Sequence, residues 1–323
     1  MALDSRFVWM NGRLVPFAQA TIHFMTAALH YGIGVFEGIR CYATENGPAI
    51  FRLRDHMERL LASASVLGFR ELPITLGELT GAAKEVVAVN GFTDCYIRPV
   101  IYLAEGGWNL TVDSGKPHVG IAAWKWTDFI NVETRDRGVR ANISSFTRHH
   151  VNASMTKAKI SGNYVNSVLA RTESLRLGFD EAIMLNPQGY VAECTGENLF
   201  LVRDGILYTP PAATILEGIT RESIIVLARE FGCKVMEEPV SRDQLYLADE
   251  VFVCGTAAEV VGIREIDFRR IGPGKTGPVT QQLQRAFFEV TRGRHALSAT
   301  WLECVPVAQL TFGPQHGFAA QVC

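Results

Sequence analysis

The sequence predicts an α+β protein of two domains. Its 323 residues exceed what one compact core usually serves. Segments rich in β-branched and aromatic residues alternate with helical segments on both sides of a polar stretch. We therefore expect a small N-terminal domain at 1–126, an interdomain linker at 127–137, a larger domain at 138–300 and a C-terminal tail at 301–323.

The first domain is predicted to open with a β-hairpin, followed by two helices and two strands. The Asn11-Gly12 dipeptide accepts the positive φ angles of a type I′ turn, which indicates the hairpin. The helices are indicated by capping-box spacings at Asp55/Glu58 and Thr75/Glu78 and by the terminating glycines Gly68 and Gly91. The predicted strands are Cys95–Leu103 and Val119–Trp126.

The second domain is predicted to mix hairpins and helices. A strand is expected at Val139–Phe146, and turn residues at 187–189 and 204–205 indicate two hairpins. Helices are expected near Tyr164–Arg176, Thr220–Phe231 and Val279–Val290.

Composition favours a small-molecule substrate over a macromolecular partner. A formal charge of -2 gives no broad field for nucleic acid or an anionic membrane. No apolar run approaches the roughly 18 residues of a membrane helix, and residues 1–7 lack the apolar core of a signal peptide, so we expect a cytoplasmic protein. The seven cysteines are scattered without a C-x-x-C pair, which favours free thiols and no metal site.

Two predicted strands each place an aromatic ring and an arginine on one face. Alternation puts Phe36, Gly38 and Arg40 on the same side, and Tyr96 and Arg98 likewise share a side. Such faces could line a pocket for an apolar group and a carboxylate, because guanidinium binds carboxylate bidentately. An arginine on a solvated face, or in a structural ion pair, fits the same pattern.

Two glycine-bounded loops are candidate phosphate sites. Glu217-Gly218-Ile219-Thr220 opens a predicted helix, and Gly255-Thr256-Ala257-Ala258 follows an apolar strand. Helix N-termini and exposed loop amides bind phosphate, although Thr220 could equally be a simple N-cap. Neither loop has the glycine spacing of a Walker or Rossmann motif.

Residue type alone does not identify a catalytic lysine or acid. Lys157 and Lys159 lie in one small-residue segment, and Glu193 and Glu197 lie in another. Either member of each pair could be a solvated surface charge.

The motifs taken together resemble the fold-type IV pyridoxal 5′-phosphate (PLP) enzymes, and within them the bacterial branched-chain amino acid aminotransferases. The resemblance runs from Val8 to about Phe288. Its motifs are Leu29-His30-Tyr31-Gly32, Val35 to Arg40, Phe51-Arg52 with His56 and Arg59-Leu60, Lys159 with Gly162-Asn163-Tyr164, Glu193 with Gly196-Glu197-Asn198-Leu199-Phe200, Gly218-Ile219-Thr220-Arg221 and Gly255-Thr256-Ala257-Ala258-Glu259.

The resemblance implies a two-domain fold-type IV enzyme, similar to D-amino acid aminotransferase, in which Lys159 carries PLP covalently and acts as both base and acid. It further implies that Arg59 binds the cofactor phosphate, Glu193 pairs with the pyridine nitrogen and Tyr164 bonds the ring hydroxyl. The remaining implied cofactor contacts are Asn198, Gly218, Ile219, Thr220, Gly255 and Thr256.

The resemblance also implies a substrate pocket and a homodimer, or a higher oligomer. Tyr96 with the amides of Ala257 and Ala258 matches the α-carboxylate site, and Arg98 matches the contact for the distal carboxylate of glutamate. The implied apolar pocket contains Phe36, Trp126 and Tyr164, and the remaining substrate contacts are Tyr31, Gly38, Arg40, Trp108, Leu110, Phe129 and Thr256. Tyr31 and the loop at 106–110 match segments that reach into the neighbouring subunit's site.

Three departures from the family pattern leave the substrate range open. Trp108 lies where the family often has a Gly-Met-Gly loop, Phe129 replaces a tyrosine and Glu217 replaces a proline. Transamination of Leu, Ile or Val with 2-oxoglutarate is the expected activity. The alternatives are an (R)-selective amine or D-amino acid transaminase, an aminodeoxychorismate lyase and a non-catalytic PLP carrier.

Overall fold

The structure is a computed structural model that describes residues 4–126 and 136–306. An antiparallel sheet and a mixed sheet, each covered by helices, account for most of these residues, which confirms the predicted α+β class. The helices are α1 (Ala27–Tyr31), α2 (Leu53–Leu67), α3 (Leu76–Asn90), α4 (Tyr164–Arg176), α5 (Ile219–Glu230), α6 (Arg242–Tyr246), α7 (Pro278–Thr291) and α8 (Ser298–Trp301).

The first sheet has eight strands in the order β17-β5-β4-β6-β7-β1-β2, with β3 also paired to β6. Its strands are β1 (Phe7–Met10), β2 (Arg13–Pro16), β3 (Gly34–Phe36), β4 (Ile39–Thr44), β5 (Gly47–Phe51), β6 (Cys95–Glu105), β7 (Lys116–Lys125) and β17 (Leu302–Cys304). Strand β17 lies in the C-terminal tail, where the sequence predicts no helix or strand. It returns the chain to the first sheet by pairing with β5.

The second sheet has nine strands in the order β10-β9-β8-β15-β14-β11-β12-β13, with β16 paired to β15. Its strands are β8 (Val139–Ile143), β9 (Glu181–Leu185), β10 (Val191–Cys194), β11 (Asn198–Arg203), β12 (Ile206–Thr209), β13 (Val235–Glu237), β14 (Glu250–Gly255), β15 (Glu259–Ile266) and β16 (Arg269–Arg270). Both predicted hairpins of this half are present, as β9–β10 and β11–β12.

Each sheet buries its own apolar core, and a third core joins them. Helices α2 and α3 bury Leu60, Val86 and their neighbours against the first sheet. The joint core stacks Phe200 on Phe252 at 5.0 Å between ring centroids and brings Phe51 of the first sheet to 5.3 Å from Phe287. Burying such large rings supplies much of the free energy that holds the two sheets together.

Local signals near the N-terminus are mostly confirmed. Asn11 and Gly12 have φ angles of 48° and 93°, as a type I′ turn requires. Thr75 and Glu78 form both hydrogen bonds of a capping box, and α3 ends at Gly91 with a φ angle of 70°. None of the helices in the described ranges is long and apolar enough to cross a membrane.

Two local expectations are wrong. The proposed Asp55/Glu58 capping box does not form, because α2 begins at Leu53 and Asp55 instead accepts a hydrogen bond from Arg52 Nε at 2.5 Å. The segment from Val35 to Arg40 is not one continuous strand. It breaks at residues 37–38 between β3 and β4, and each of these strands pairs separately with β6.

Candidate active site

A cavity of about 180 Å³ lies between the two sheets. Residues from both sheets and from the N-terminus of α5 line it. From the predicted set it brings together Phe36, Gly38, Arg59, Tyr96, Arg98, Lys159, Tyr164, Glu193, Asn198, Gly218, Ile219, Thr220, Gly255, Thr256 and Ala257. A concave site that combines aromatic walls with a few convergent charged groups is typical of small-molecule binding.

Lys159 projects into this cavity from a segment that is fixed at its backbone. Its amide donates to Ser63 Oγ of α2 at 3.0 Å, and its carbonyl accepts from the amide of Phe36 at 3.1 Å. Its Nζ donates to the hydroxyl oxygen of Tyr164 at 2.5 Å. The amine therefore stands at a defined point in the cavity, with an oxygen beside it that can exchange a proton.

The neighbouring Lys157 has a different environment. Its Nζ donates to the carboxylate of Glu217 at 2.6 Å and to the carbonyl of Ala212, outside the lining of the cavity. The structure thus separates two lysines that residue type alone does not distinguish.

Glu193 is a buried carboxylate on the opposite wall. Its Oε1 accepts from Arg148 Nε at 2.7 Å, and its Oε2 accepts from Asn198 Nδ2 at 3.3 Å and from the amide of Leu216 at 3.2 Å. Because these partners stabilise the charged form, Glu193 is suited to face a cationic ring nitrogen. Glu197 differs, since burial raises its pKa and thereby favours the neutral acid.

Arg59 lies where α2 meets the start of α5. Three of its five N–H groups are bonded to other described residues: Nε and Nη2 donate to Glu37 at 2.6 and 2.9 Å, and Nη1 donates to the carbonyl of Glu217 at 2.7 Å. Gly218, Ile219 and Thr220 follow, with Gly218 as the N-cap of α5. A Cβ at Gly218 would lie 1.9 Å from Asn198 Oδ1, so only glycine fits this close approach.

Aromatic rings and one arginine form the remaining wall. Tyr96 stacks on Trp126 at 4.8 Å, and Phe36 meets Tyr164 edge to face at 4.7 Å. Arg98 lies over the ring of Phe36 at 4.7 Å, and its buried Nε has no hydrogen-bond partner within the described residues. Arg98 is part-buried and lines the cavity, and a guanidinium in such a position is suited to an anionic ligand group.

Comparisons with known proteins agree with this geometry. A sequence model described as amino-transferase class IV matches residues 34–266. The chain belongs to the class IV aminotransferases. A branched-chain-amino-acid aminotransferase of Pseudomonas aeruginosa is 47% identical over 301 residues, covering 93% of this chain and 98% of the relative.

Solved structures place this aminotransferase in the branched-chain-amino-acid aminotransferase family. A branched-chain amino acid aminotransferase from T.th., complexed with N-(5′-phosphopyridoxyl)-L-glutamate, has a TM-score of 0.89 and 45% identity, and the match covers 94% of this chain and 100% of that one. The Escherichia coli enzyme has a TM-score of 0.90 and 43% identity, with 93% and 99% covered. The predicted family and the predicted enzyme class are confirmed.

Several predicted site residues of this aminotransferase lie outside the cavity lining. Arg40 is buried in ion pairs with Asp94 at 2.8 Å and Glu259 at 3.7 Å, which is the structural ion pair that the sequence left open. Trp126 stacks on the ring of Tyr96 but does not itself line the cavity, and Ala258 packs in the core of the second sheet. Tyr31, Trp108 and Leu110 lie on the surface, and Phe129 falls outside the described residues.

Two charged groups of the site were missed by the sequence reasoning. Glu37 bonds Arg59, and Arg148 bonds Glu193. A signal for Glu37 exists, because alternation puts it on the same side as Val35 and Ile39, where a carboxylate requires a buried partner. Arg148 lies 45 residues before its partner, and we find no local pattern that would have identified it.

Proposed function

We propose that this aminotransferase moves the amino group between a branched-chain L-amino acid and 2-oxoglutarate, with PLP carried by Lys159. The observation that carries the proposal is the arrangement of Lys159 beside Tyr164 on one wall, the Glu193–Arg148 pair on the other, and an aromatic wall that includes Arg98. An amine, a ring-nitrogen partner and a carboxylate partner are the three groups that amino transfer with PLP requires.

The donor set fits PLP. Two N–H groups of Arg59 remain for a phosphate beside the N-terminus of α5, where the helix dipole and the free amides favour an anion. Tyr164 is placed for the ring hydroxyl and Glu193 for the pyridine nitrogen. When bound, PLP supplies the electron sink for the carbanion at the substrate Cα.

Lys159 has the central part in the proposed mechanism. Its Nζ would hold the cofactor and, when free, would accept the Cα proton of the substrate and donate it back later in the transfer. Tyr164 keeps this amine in place through the 2.5 Å hydrogen bond. Glu193, positioned by its ion pair with Arg148, would hydrogen-bond the ring nitrogen of the bound cofactor.

Substrate choice follows from the aromatic wall. Phe36, Tyr164 and Tyr96 offer ring surfaces that bury a branched aliphatic side chain. Arg98 is assigned to the distal carboxylate of glutamate as a cation of the cavity lining, and the solved relative with a phosphopyridoxyl-glutamate adduct supports glutamate as the second donor. The α-carboxylate is assigned to Tyr96 with the amides of Ala257 and Ala258.

The site is proposed to be completed by a second copy of the chain. Tyr31, Trp108 and Leu110 do not line their own cavity, and Leu110 is 75% exposed. Trp108 packs near Tyr31 at 5.8 Å, which forms an apolar projection together with exposed Phe24 and Leu29. Exposed apolar surface of this kind marks an interface, and a homodimer would bury it near the partner's cavity.

Half-reactions test the substrate assignment. Enzyme loaded with PLP is mixed separately with L-leucine, D-alanine or an (R)-arylalkylamine, without an acceptor, and the visible cofactor band is followed. We expect L-leucine to bleach the band and 2-oxoglutarate to restore it. Bleaching by the D- or (R)-donors alone would establish the competing transaminase assignment, and a band that no donor bleaches would indicate a carrier.

Mixed dimers test the shared site. Lys159→Ala and Tyr31→Ala chains are co-expressed with different tags, and the mixed dimer is isolated. One of its two sites then carries both changes and the other carries neither, so we expect about half of the wild-type activity per dimer. Activity no higher than that of the Tyr31→Ala homodimer would contradict the assignment.

A cytoplasmic location remains our proposal, and the six free cysteines of the described chain suit a reducing compartment.

A further inference from the structure

Glu37 is the most deeply buried carboxylate next to the cavity, and the mechanism above does not use it. Its side chain is 0% exposed, in the break between β3 and β4. Its amide donates to the carbonyl of Pro99 at 3.0 Å, which fixes the backbone at that point. A buried carboxylate is costly unless every oxygen has a partner, so its retention calls for a reason.

Both carboxylate oxygens of Glu37 are fully engaged. Oε1 accepts from Arg59 Nε at 2.6 Å, and Oε2 accepts from Arg59 Nη2 at 2.9 Å and from His56 Nδ1 at 2.8 Å. This bidentate pairing fixes the plane of the guanidinium as well as its distance. Burial alone raises the pKa of Glu37, but the charge of Arg59 and the hydrogen bond from His56 bring the pKa well below its usual value.

The pairing determines which donors Arg59 has left. Glu37 occupies the edge formed by Nε and Nη2, and the carbonyl of Glu217 takes one hydrogen of Nη1. The two remaining N–H groups belong to Nη1 and Nη2, which are neighbours on the guanidinium and can bond a phosphate together. Since Glu217 directly precedes Gly218, the same guanidinium is also tied to the start of α5.

We propose that Glu37 is a positioning residue for cofactor binding, which holds Arg59 with its two free N–H groups directed at the phosphate. His56 completes the carboxylate's partners and prevents it from rotating away from Arg59. The inference rests on the proposed function, since it assumes that the ligand at Arg59 is the phosphate of PLP. Glu37 acts on affinity for the phosphate end and has no contact with the reacting atoms.

The test compares the binding of PLP and pyridoxal, which differ only in the phosphate. Apoenzyme is titrated with each compound, and the dissociation constants are obtained from the absorption band that appears on binding. The ratio of the pyridoxal constant to the PLP constant reports the phosphate contribution. In Glu37→Gln the amide nitrogen must face an N–H group of Arg59 in either orientation, because Arg59 donates to both oxygens of the native carboxylate. We expect this ratio to fall by about tenfold or more, the effect of disturbing one charge-assisted hydrogen bond, with little change for pyridoxal.

A double-mutant cycle shows whether Glu37 acts through Arg59. In an Arg59→Ala background, Glu37→Gln should change the ratio no further, because the group it positions is gone. Glu250→Gln is the matched control. Glu250 is another buried carboxylate with both oxygens bonded, at the N-terminus of α7 and away from Arg59, so its loss should lower stability and leave the ratio unchanged.

The outcomes are distinct. An unchanged ratio in Glu37→Gln, an equal loss for PLP and pyridoxal, or a loss that adds fully to that of Arg59→Ala overturns the inference. Wild-type enzyme that binds neither compound overturns the proposed function instead. Should circular dichroism show that Glu37→Gln is unfolded, Glu37→Asp carries the same test, because it keeps the charge but withdraws it by one methylene.

Discussion

The two sides of the cavity are built differently. On the cofactor side, Lys159, Glu193 and Arg59 each have a charged or polar partner within 2.5 to 2.9 Å. On the substrate side the contacts are mostly ring to ring, and Arg98 has a donor without a partner among the described residues. The cofactor side is therefore held in place by its own polar contacts before a ligand binds, with two N–H groups of Arg59 left for that ligand, whereas the substrate side is held mainly by ring packing.

This difference separates chemistry from selectivity. Buried charge pairs fix geometry and are damaged strongly when one partner is lost. Ring contacts tolerate side chains of different shape, and differences of one methyl group on them change binding only modestly. Substitutions on the cofactor side should thus affect every substrate alike, while those on the substrate side should discriminate between substrates.

The largest effect is expected for Lys159→Ala. The change removes the amine that links the cofactor and moves the Cα proton, so kcat should fall by about 1000-fold or more, with loss of the visible cofactor band. Lys157→Ala is the control. It removes a lysine two residues away that bonds Glu217 instead, so it should keep the band and most of the activity. A variant lacking Lys159 that kept both band and turnover would refute the assignment.

Glu193→Gln should have the next largest effect. It leaves the buried Arg148 without a charged partner and removes the carboxylate that holds a proton on the ring nitrogen. We expect kcat to fall by about 100-fold, comparable to the loss of one well-placed electrostatic contact. The fall should be the same with leucine and with glutamate. A loss confined to one of these substrates would break the proposed division between the two sides.

Arg98→Ala should separate the substrates. The Arg98 guanidinium is assigned to the distal carboxylate of glutamate, which leucine lacks. We expect kcat/KM for glutamate and 2-oxoglutarate to fall by about 10- to 100-fold, as for a lost charge-assisted hydrogen bond. The leucine half-reaction should change far less. If activity with 2-oxoglutarate were unaffected, the carboxylate assignment would be incorrect.

Trp108→Ala should have a small effect. Its ring contacts His30 at 4.9 Å and Tyr31 at 5.8 Å on the surface, outside its own cavity. Because it lies at the rim of the proposed shared site, we expect less than about a fivefold change in kcat/KM for leucine. A larger gain for bulkier substrates would show that Trp108 restricts the mouth. The measurement is a comparison of leucine, valine and phenylalanine as donors.

The smallest effect is expected on the pH dependence of stability, through His149, which lies beside the Glu193 partner Arg148. Burial, followed by the charge of Arg148, lowers the pKa of His149 to about 4 from its ordinary value of 6.5. A depressed pKa gives stability that is present above pH 6.5 and is lost as the pH falls towards 4, since the unfolded chain binds the proton first. His149→Asn should therefore flatten the dependence of Tm on pH in this window. An unchanged slope would contradict the assignment.

Sequence patterns predicted local features well and distant pairings poorly. Turn and cap signals at Asn11-Gly12 and Thr75/Glu78 depend on neighbouring residues alone, and they are confirmed. Alternation predicted Phe36 and Gly38 in the cavity. It also predicted Arg40 there, which is wrong, because the chain leaves the strand at residues 37–38 and so changes the direction of the residues that follow.

The roles at the cofactor side came from family resemblance, and the structure explains why composition could not supply them. Lys159 differs from Lys157 through Ser63 and Tyr164, and Glu193 differs from Glu197 through Arg148. Each of these differences except that of Tyr164 arises from a residue distant in sequence. Pattern rules that read a short window do not detect such partners.

The attachment of the Lys159 segment has a mechanical consequence. Ala158 and Ile160 are buried in the core of the first sheet, so Lys159 is attached to the N-terminal half although it follows the predicted linker in sequence. Glu193 belongs to the other half. A ligand that bonds both residues therefore connects the two sheets across the cavity, in addition to the core that they share. A change in the distance between the two sheets would then change the distance between the groups that hold the ligand.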